Sequence, residues 1–182
     1  YMILRNAGIT DVSIHHIPGD LTDNYNPREH TLNLSDKVYG SRSIAAIGVA
    51  AHECGHAIQH ARHYVPLTVR SAIIPAANIG SSLAWPLVLT GLIIPRLDFC
   101  MTIGILLFSL VVILQLVTLP VEFNASRRAI QIIRDSGYLA PDELKGAKSV
   151  LKAAAMTYVA AMVSVSLQLL RLVILRGSRD DD

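Results

Sequence analysis

The chain has few aromatic residues, few cysteines and no run of charge of one sign. Aromatic residues make up 5% of its 182 residues, and the two cysteines are Cys54 and Cys100. Both cysteines lie in helical or apolar runs, so we expect no disulfide framework, and a reducing compartment is compatible with this composition. The formal net charge is +2. Because no basic stretch is interleaved with aromatic residues, we also expect no nucleic-acid partner.

Apolar sequence is what the chain has in excess. Hydrophobic residues make up 52% of the chain, and the mean hydropathy is +0.43. Three runs of 25, 23 and 18 residues lack any charge: Ser71–Pro95, Phe99–Val121 and Ala153–Leu170. About 20 apolar residues cross a bilayer as a helix. We therefore predict three transmembrane helices, at residues 71–95, 99–119 and 153–175.

The polar N-terminal part is predicted to form a small α+β region. Tyr1–Ala7 is typical of a short helix that ends at Gly8. Val12–Ile17 alternates with a period near two, and Leu21–Asn26 and Thr31–Leu34 flank a turn, so we expect a small antiparallel sheet. The chain begins with tyrosine rather than methionine, and we expect it to be a fragment or a processed product.

Residues 52–56 form an H-E-x-x-H motif within a predicted helix. Positions i and i+4 of a helix lie one above the other, so His52 and His56 direct their imidazoles to one place. This arrangement suits two of the three protein ligands of a catalytic zinc, and Glu53 can hold a water and accept its proton. The alternative is a helix with a solvated His–Glu–His stripe. A third ligand elsewhere in the chain would favour the metal site over this alternative.

The helix that carries the motif is predicted to span residues 43–60, with Ser43 as its N-cap. His60 extends the histidine stripe but lies eight residues after His52, a rise of about 12 Å at about 1.5 Å per residue. Two nitrogens on one zinc can be only about 4 Å apart, so a straight helix excludes His60 as the third ligand. We interpret His60 as a polar residue at the rim, with substrate contact or transition-state support as the alternatives.

Glu122 is the candidate third ligand. It adjoins the second apolar run, where an unpaired charge would be costly. Two spans return the chain to the side that it left, so Glu122 is expected on the same side of the membrane as the histidine pair. Ser126, one helical turn later, could hydrogen-bond a ligand. The alternative is an interfacial glutamate paired with a cation such as Arg128.

The distribution of cations predicts which side of the membrane this is. Six cations lie in the segment between the second and third spans: Arg127, Arg128, Arg134, Lys145, Lys148 and Lys152. The positive-inside rule places this segment, and with it the histidine pair, in the cytoplasm. The prediction is a mainly α membrane protein made of an N-terminal α+β region with the motif helix (1–70), two spans (71–95 and 99–119), a cytoplasmic helical segment (120–152), a third span (153–175) and a polar tail (176–182).

Several segments resemble known membrane peptidases. Pro120–Ala129 resembles the Glu-aromatic-x-Ala-Asp-x-x-Ala signature of HtpX-type and CAAX-prenyl-type metallopeptidases, with Ser126 in place of the Asp. Four segments resemble the bacterial YugP-like neutral zinc metallopeptidases: Leu21–Asp23, Ala50–Gln59, Leu116–Arg128 and Thr157–Ala161. The likeness covers nearly the whole chain. It implies a gluzincin-like peptidase of the bacterial cytoplasmic membrane, with one Zn²⁺ per chain bound by His52, His56 and Glu122 and with Glu53 as the catalytic residue.

The hypothesis is hydrolysis of peptide bonds in a protein or peptide substrate associated with the lipid bilayer. Zinc would polarise the carbonyl, and Glu53 would move the proton of the water. A second electrophile is expected near the oxyanion, and its candidates are Tyr158, Arg128 and His60. Each of these also has an ordinary interpretation as an interfacial, phosphate-facing or rim residue. Two other functions stay open: a site-2-type intramembrane protease, and a zinc-stabilised scaffold or adaptor without catalysis.

Overall fold

The computed structural model describes residues 1–180, which fold into helices and one small sheet. In chain order the elements are α1 (Met2–Asn6), β1 (Ser13–His16), β2 (Asn24–Asn26), β3 (Thr31–Leu34), α2 (Ile44–Ala61), α3 (Val65–Ile93), a 3-10 turn (Pro95–Leu97), α4 (Asp98–Ser136) and α5 (Pro141–Asp180). The predicted mainly α fold with a small N-terminal α+β region is confirmed. Residues 181 and 182, the end of the predicted polar tail, lie outside the described residues.

The chain divides into two compact units. The first contains Tyr1–Leu67 and Pro120–Met156, so it holds the sheet, α2 and the parts of α4 and α5 that adjoin the turn between them. The second contains Thr68–Leu119 and the chain from Thr157 onward, so it holds most of the long apolar helices. Each unit has a hydrophobic core of its own.

The sheet has the strand order β1-β3-β2. Strands β2 and β3 form the predicted antiparallel hairpin, with Tyr25 opposite Leu32. The expectation that the whole sheet is antiparallel was wrong for β1, which pairs with β3 in parallel and sets Ile14 opposite Leu32. Alternation with period two identifies the buried face of a strand, but it does not encode which strand lies beside it or in which direction.

Helix α2 has a capped N-terminus, and it packs against other elements of the first unit. The Ser43 hydroxyl accepts a hydrogen bond from the Ala46 N–H at 3.2 Å, which confirms the predicted N-cap. One side of α2 packs on α1 and the sheet, in a cluster with the following members: Leu4, Ile9, Val12, Leu32, Leu34, Val38, Ala46, Cys54, Ala57 and Ile58. A second cluster joins α2 to α4 and α5 through Ala51, Ala129, Ile133 and Leu151.

Three helices among the described residues are long and apolar enough to cross a membrane, and they are α3, α4 and α5. In the second unit they pack through a small core: Ala84, Val88, Met101, Phe108, Val112 and Leu172. Gly104 of α4 lies directly against α3, because a Cβ placed there would be 2.7 Å from the Ala84 carbonyl oxygen. Arg176 pairs with Asp98 at the start of α4. Close approach of helices at small residues is typical of membrane spans.

Helix α4 does not break at Pro120, where the sequence predicted that a span ends and a new segment begins. It runs without interruption from Asp98 to Ser136, with the proline inside it. A proline within a helix removes one hydrogen bond, but packing can maintain the helix beyond it. Val121 and Ala125, in the following turns, are fully buried. The predicted segment 120–152 is therefore the end of α4, a turn and the beginning of α5.

Candidate metal centre

Three ligand atoms converge between α2 and the second half of α4. The Nε2 atoms of His52 and His56 are 3.2 Å apart, and Oε2 of Glu122 lies 3.2 Å from the first and 3.6 Å from the second. Ligand atoms around tetrahedral zinc, at bonds of about 2.0–2.1 Å, are about 3.3 Å from one another. The triangle therefore has the size of one face of a zinc tetrahedron.

Gly55 explains how the glutamate of α4 can reach the histidines of α2. A Cβ placed at Gly55 would lie 2.6 Å from the Ala125 carbonyl oxygen, so the two helix backbones touch at this point. Ala51, Ala125 and Ala129 around the contact are fully buried. Gly55 occupies one of the two unspecified positions of the H-E-x-x-H motif. The motif therefore also contains the close helix contact that lets Glu122 approach the two histidines.

The other nitrogen of each histidine ring has a polar partner. Nδ1 of His52 shares a hydrogen bond of 3.1 Å with the Ser126 hydroxyl, and Nδ1 of His56 donates to Oε1 of Gln59 at 3.0 Å. A carbonyl oxygen can only accept, so the His56 proton is on Nδ1 and the lone pair of Nε2 faces the triangle. This is the tautomer that binds a metal through Nε2.

Gln59 is a site residue that the sequence reasoning missed. Its side chain is completely buried, and its amide nitrogen donates to the Val121 carbonyl at 2.8 Å and to Oδ1 of Asn124 at 3.0 Å. Since a backbone carbonyl fixes the amide nitrogen on one side, the amide oxygen must face His56. The available signal was an amide three residues after His56 on the buried side of the helix.

Glu53 is buried beside the triangle, with 8% of its surface exposed. Burial raises the pKa of its carboxyl, although the neighbouring His56 and His52 oppose this shift. Burial is the largest single influence on the pKa of His56 and lowers it, but the interactions with Glu122, Glu53 and Gln59 together raise that pKa above its ordinary value. Because protons and metal ions compete for the same nitrogen lone pair, we expect metal binding to weaken as the pH falls.

Comparison with known proteins identifies the family. The chain matches the family described as "Putative neutral zinc metallopeptidase" over residues 1–177. It belongs to that family. The chain is also 46% identical over 181 residues to the protein named "Putative membrane protease YugP" of Bacillus subtilis (strain 168), which covers 99% of this chain and 80% of that protein. The resemblance seen in the sequence is confirmed, and no solved structure matches the chain.

The donor set fits the metal of the zinc metallopeptidase family. Two neutral imidazoles and one carboxylate form a typical three-ligand set for zinc that leaves a position open. The ligand atoms of His52, His56 and Glu122 all lie within 4.8 Å of one another, and the Glu122 side chain is buried between the helices. A buried carboxylate that faces two ring nitrogens is the polar environment that a dication stabilises.

Two of the other predicted site residues have partners elsewhere in the first unit. His60 shares a hydrogen bond of 2.9 Å with the Tyr25 hydroxyl of β2, and its ring packs edge-on against His30 at 5.3 Å. The structure therefore places His60 against the sheet. Arg128 donates from Nε to Oδ1 of Asn124 at 2.8 Å, so it joins the hydrogen-bond network of Gln59.

Tyr158 belongs to the second unit. It is partly buried on α5 and lines a cavity of about 540 Å³ whose polar members include Arg70, Gln115 and Thr118. An arginine and several hydroxyl or amide groups in a helix bundle that spans a membrane are unusual, because each is costly in lipid without partners. A role of Tyr158 in oxyanion stabilisation stays a prediction from the sequence.

Proposed function

We propose that this protein is a membrane-embedded, zinc-dependent endopeptidase. In this proposal His52, His56 and Glu122 bind one Zn²⁺ per chain in a gluzincin-type arrangement, and Glu53 is the general base. The observation that carries it is the 3.2, 3.2 and 3.6 Å triangle of ligand atoms, with a buried carboxyl one residue from His52. The family and the relative named as a membrane protease support a zinc peptidase.

The chain's own residues supply proton transfer and orientation. A zinc ion bound here would act as a Lewis acid on the scissile carbonyl and would lower the pKa of water. Glu53 accepts the proton of the attacking water and passes it to the nitrogen of the leaving amine. A pKa raised by burial suits this task, because the carboxyl has to hold the proton between the two transfers. Gln59 and Ser126 keep the two imidazoles in position.

We further propose that the substrate is a protein or peptide at the cytoplasmic face of a bacterial cytoplasmic membrane. The lipid bilayer is the expected environment of α3, α4 and α5. The six cations between residues 127 and 152 support the cytoplasmic orientation. A net charge of +2 without a basic run supports the expectation that nucleic acid is not a partner.

The site-2-type alternative requires the motif to lie within a membrane span. Helix α2 is not among the helices of the described residues that are apolar enough to span. It packs on the sheet and α1 through residues such as Leu32 and Ile58. This packing favours a motif helix outside the hydrocarbon layer.

The experiment that tests the function replaces the base and keeps the ligands. Purified Glu53→Gln protein in neutral detergent should retain zinc, as measured by elemental analysis, and should lose at least about 100-fold in cleavage of a fluorogenic peptide library, the scale typical of a lost general base. Glu29→Gln, which changes an exposed loop glutamate, is the matched control. Unchanged cleavage by Glu53→Gln would remove Glu53 from the mechanism. Zinc-loaded wild-type protein without chelator-sensitive cleavage would favour the scaffold function.

A further inference from the structure

A cavity of about 260 Å³ in the first unit contains two arginines and no acidic residue. Arg62, which follows the last turn of α2, and Arg128 of α4 line it together with Asn6 and Gln131, two residues with amide side chains. Among the side chains of residues 1–178, no carboxylate forms an ion pair with either arginine. The polar lining of this arginine cavity consists of groups that can donate hydrogen bonds, and both of its charges are positive.

The surroundings strengthen the attraction of the arginine cavity for an anion. Ile58 and Ile132 contribute apolar walls, and the cavity opens to solvent beside the exposed Arg62. Two guanidinium groups that face one small space also repel each other. A bound anion would remove this repulsion and satisfy the donors at the same time.

Arg128 is already oriented for binding. Its Nε donates to Asn124 at 2.8 Å, and Asn124 is held by the buried amide of Gln59. Within the part of the chain whose side chains are described, the terminal N–H groups of this guanidinium are left for a further partner. A fixed guanidinium loses little conformational freedom when it binds an oxyanion, and its planar fork matches two oxygens of a phosphate.

We propose that the arginine cavity binds a phosphate group, either as inorganic phosphate or as the headgroup of an anionic phospholipid. Cavities for drug-sized ligands have volumes of about 300–1,000 Å³, so this smaller space suits a compact group. Two arginines and two amides offer more donors than the two oxygens of a carboxylate can accept, whereas inorganic phosphate presents four oxygens and a phosphodiester headgroup presents two charged oxygens and two ester oxygens. Binding in this cavity does not require peptide hydrolysis.

Calorimetric titration of the zinc-loaded chain in neutral detergent tests the site with two probes, inorganic phosphate and dioctanoyl phosphatidylglycerol. Arg62→Gln should weaken binding about 10- to 100-fold, the scale of lost hydrogen bonds to a charged group. Arg62→Lys, which keeps the charge without the fork, should lose less. Arg127→Gln removes an exposed arginine of α4 that does not line the cavity, and this variant should bind as the wild type does.

The outcomes separate the two sources of phosphate from a failure of the site. Loss of inorganic phosphate binding in Arg62→Gln would identify free phosphate, and loss of lipid binding alone would identify the headgroup. Phosphate can also ligate zinc, so only binding that differs between wild type and Arg62→Gln, at equal zinc content, counts for the cavity. No binding of either probe, or equal binding by Arg62→Gln and wild type, would overturn the site. Neither result depends on whether the protein cleaves peptides.

Discussion

The two units differ in how many of their large apolar side chains they bury. In the first unit large apolar residues point inward, and Leu4, Leu32 and Ile133 are almost completely buried. In the second unit the helices touch at small residues, whereas Leu106 and Leu167 are 64% and 60% exposed. Water drives large apolar groups inward, but lipid is as apolar as leucine and provides no such force between spans. The difference indicates that each unit is adapted to a different solvent.

Buried polar groups of the first unit have specific hydrogen-bond partners. The first unit buries Gln59 and Glu122, and both of these groups have partners across two helices. In the same unit the buried Ser35 bonds to Asp23 in the loop before β2. These groups are costly to desolvate, and each is compensated by a directed contact. The candidate metal ligands among the described residues, His52, His56 and Glu122, therefore lie in the unit whose large apolar side chains point inward.

The largest effect should come from removal of the third ligand. Glu122→Ala should lower zinc affinity by more than about 100-fold and abolish hydrolysis, because a lost ligand exceeds the loss known for outer-shell partners. Zinc content per chain and cleavage of the peptide library measure both effects. Asp142→Ala, at an exposed acid of the same unit, should keep its zinc. Full zinc content in Glu122→Ala would show that the triangle is not the metal site.

Truncation of one large apolar side chain in each unit tests whether the two units are adapted to different solvents. Ile133→Ala in the first unit should lower the free energy of unfolding by about 2–5 kcal/mol, because it leaves a cavity in a packed core. Leu106→Ala in the second unit should change it by less than about 0.5 kcal/mol in detergent, since this side chain faces outward. Urea unfolding followed by circular dichroism gives both values. Equal losses would contradict the contrast between the units.

Substitutions at two glycines distinguish an effect on helix packing from an effect on metal binding. Gly55→Ala and Gly104→Ala each place a methyl group within 2.7 Å of a backbone oxygen, and each should lower the free energy of unfolding by about 1–3 kcal/mol. Only Gly55→Ala should also weaken zinc binding, because it moves α4 away from the histidines. Zinc affinity is measured by competition with a chelator. A similar loss of affinity in both variants would show that the effect is a general loss of stability.

A smaller loss of zinc affinity than that of Glu122→Ala should come from replacing the amide that orients His56. Gln59→Leu should weaken zinc binding about 10- to 100-fold, as is typical for loss of a partner that orients a metal ligand. Gln59→Glu keeps an acceptor for His56 but loses the donor to Val121, so its affinity should be intermediate. Gln168→Leu, at an exposed amide of α5, is the control. If Gln59→Leu bound zinc as tightly as the wild type, Gln59 would be structural only.

The convergence of the candidate site could be predicted because short-range geometry and membrane topology determine it. The helical repeat brings His52 and His56 together, and two consecutive spans return the chain to the side of the histidines, where Glu122 adjoins an apolar run. The structure brings the Ser126 hydroxyl to Nδ1 of His52, whereas the sequence predicted only that Ser126 could hydrogen-bond one of the ligands. Local rules also predicted the cap at Ser43.

Other features could not be read from the sequence because tertiary contacts decide them. The partner of β1 depends on where the chain passes after β2, which no local pattern records. The continuity of α4 through Pro120 depends on burial of the turns that follow the proline. Gln59 has helical spacing from His56, but its function depends on a carbonyl of α4, 62 residues along the chain.

The contact at Gly55 has a consequence for how this pair of helices can evolve or be transplanted. The atom that opposes Gly55 is a main-chain oxygen, so no substitution at residue 125 can make room for a side chain there. A side chain at position 55 therefore cannot be compensated by a second substitution at residue 125. A designer who transfers the two histidines to another scaffold would also have to transfer the glycine at which the two helix backbones touch.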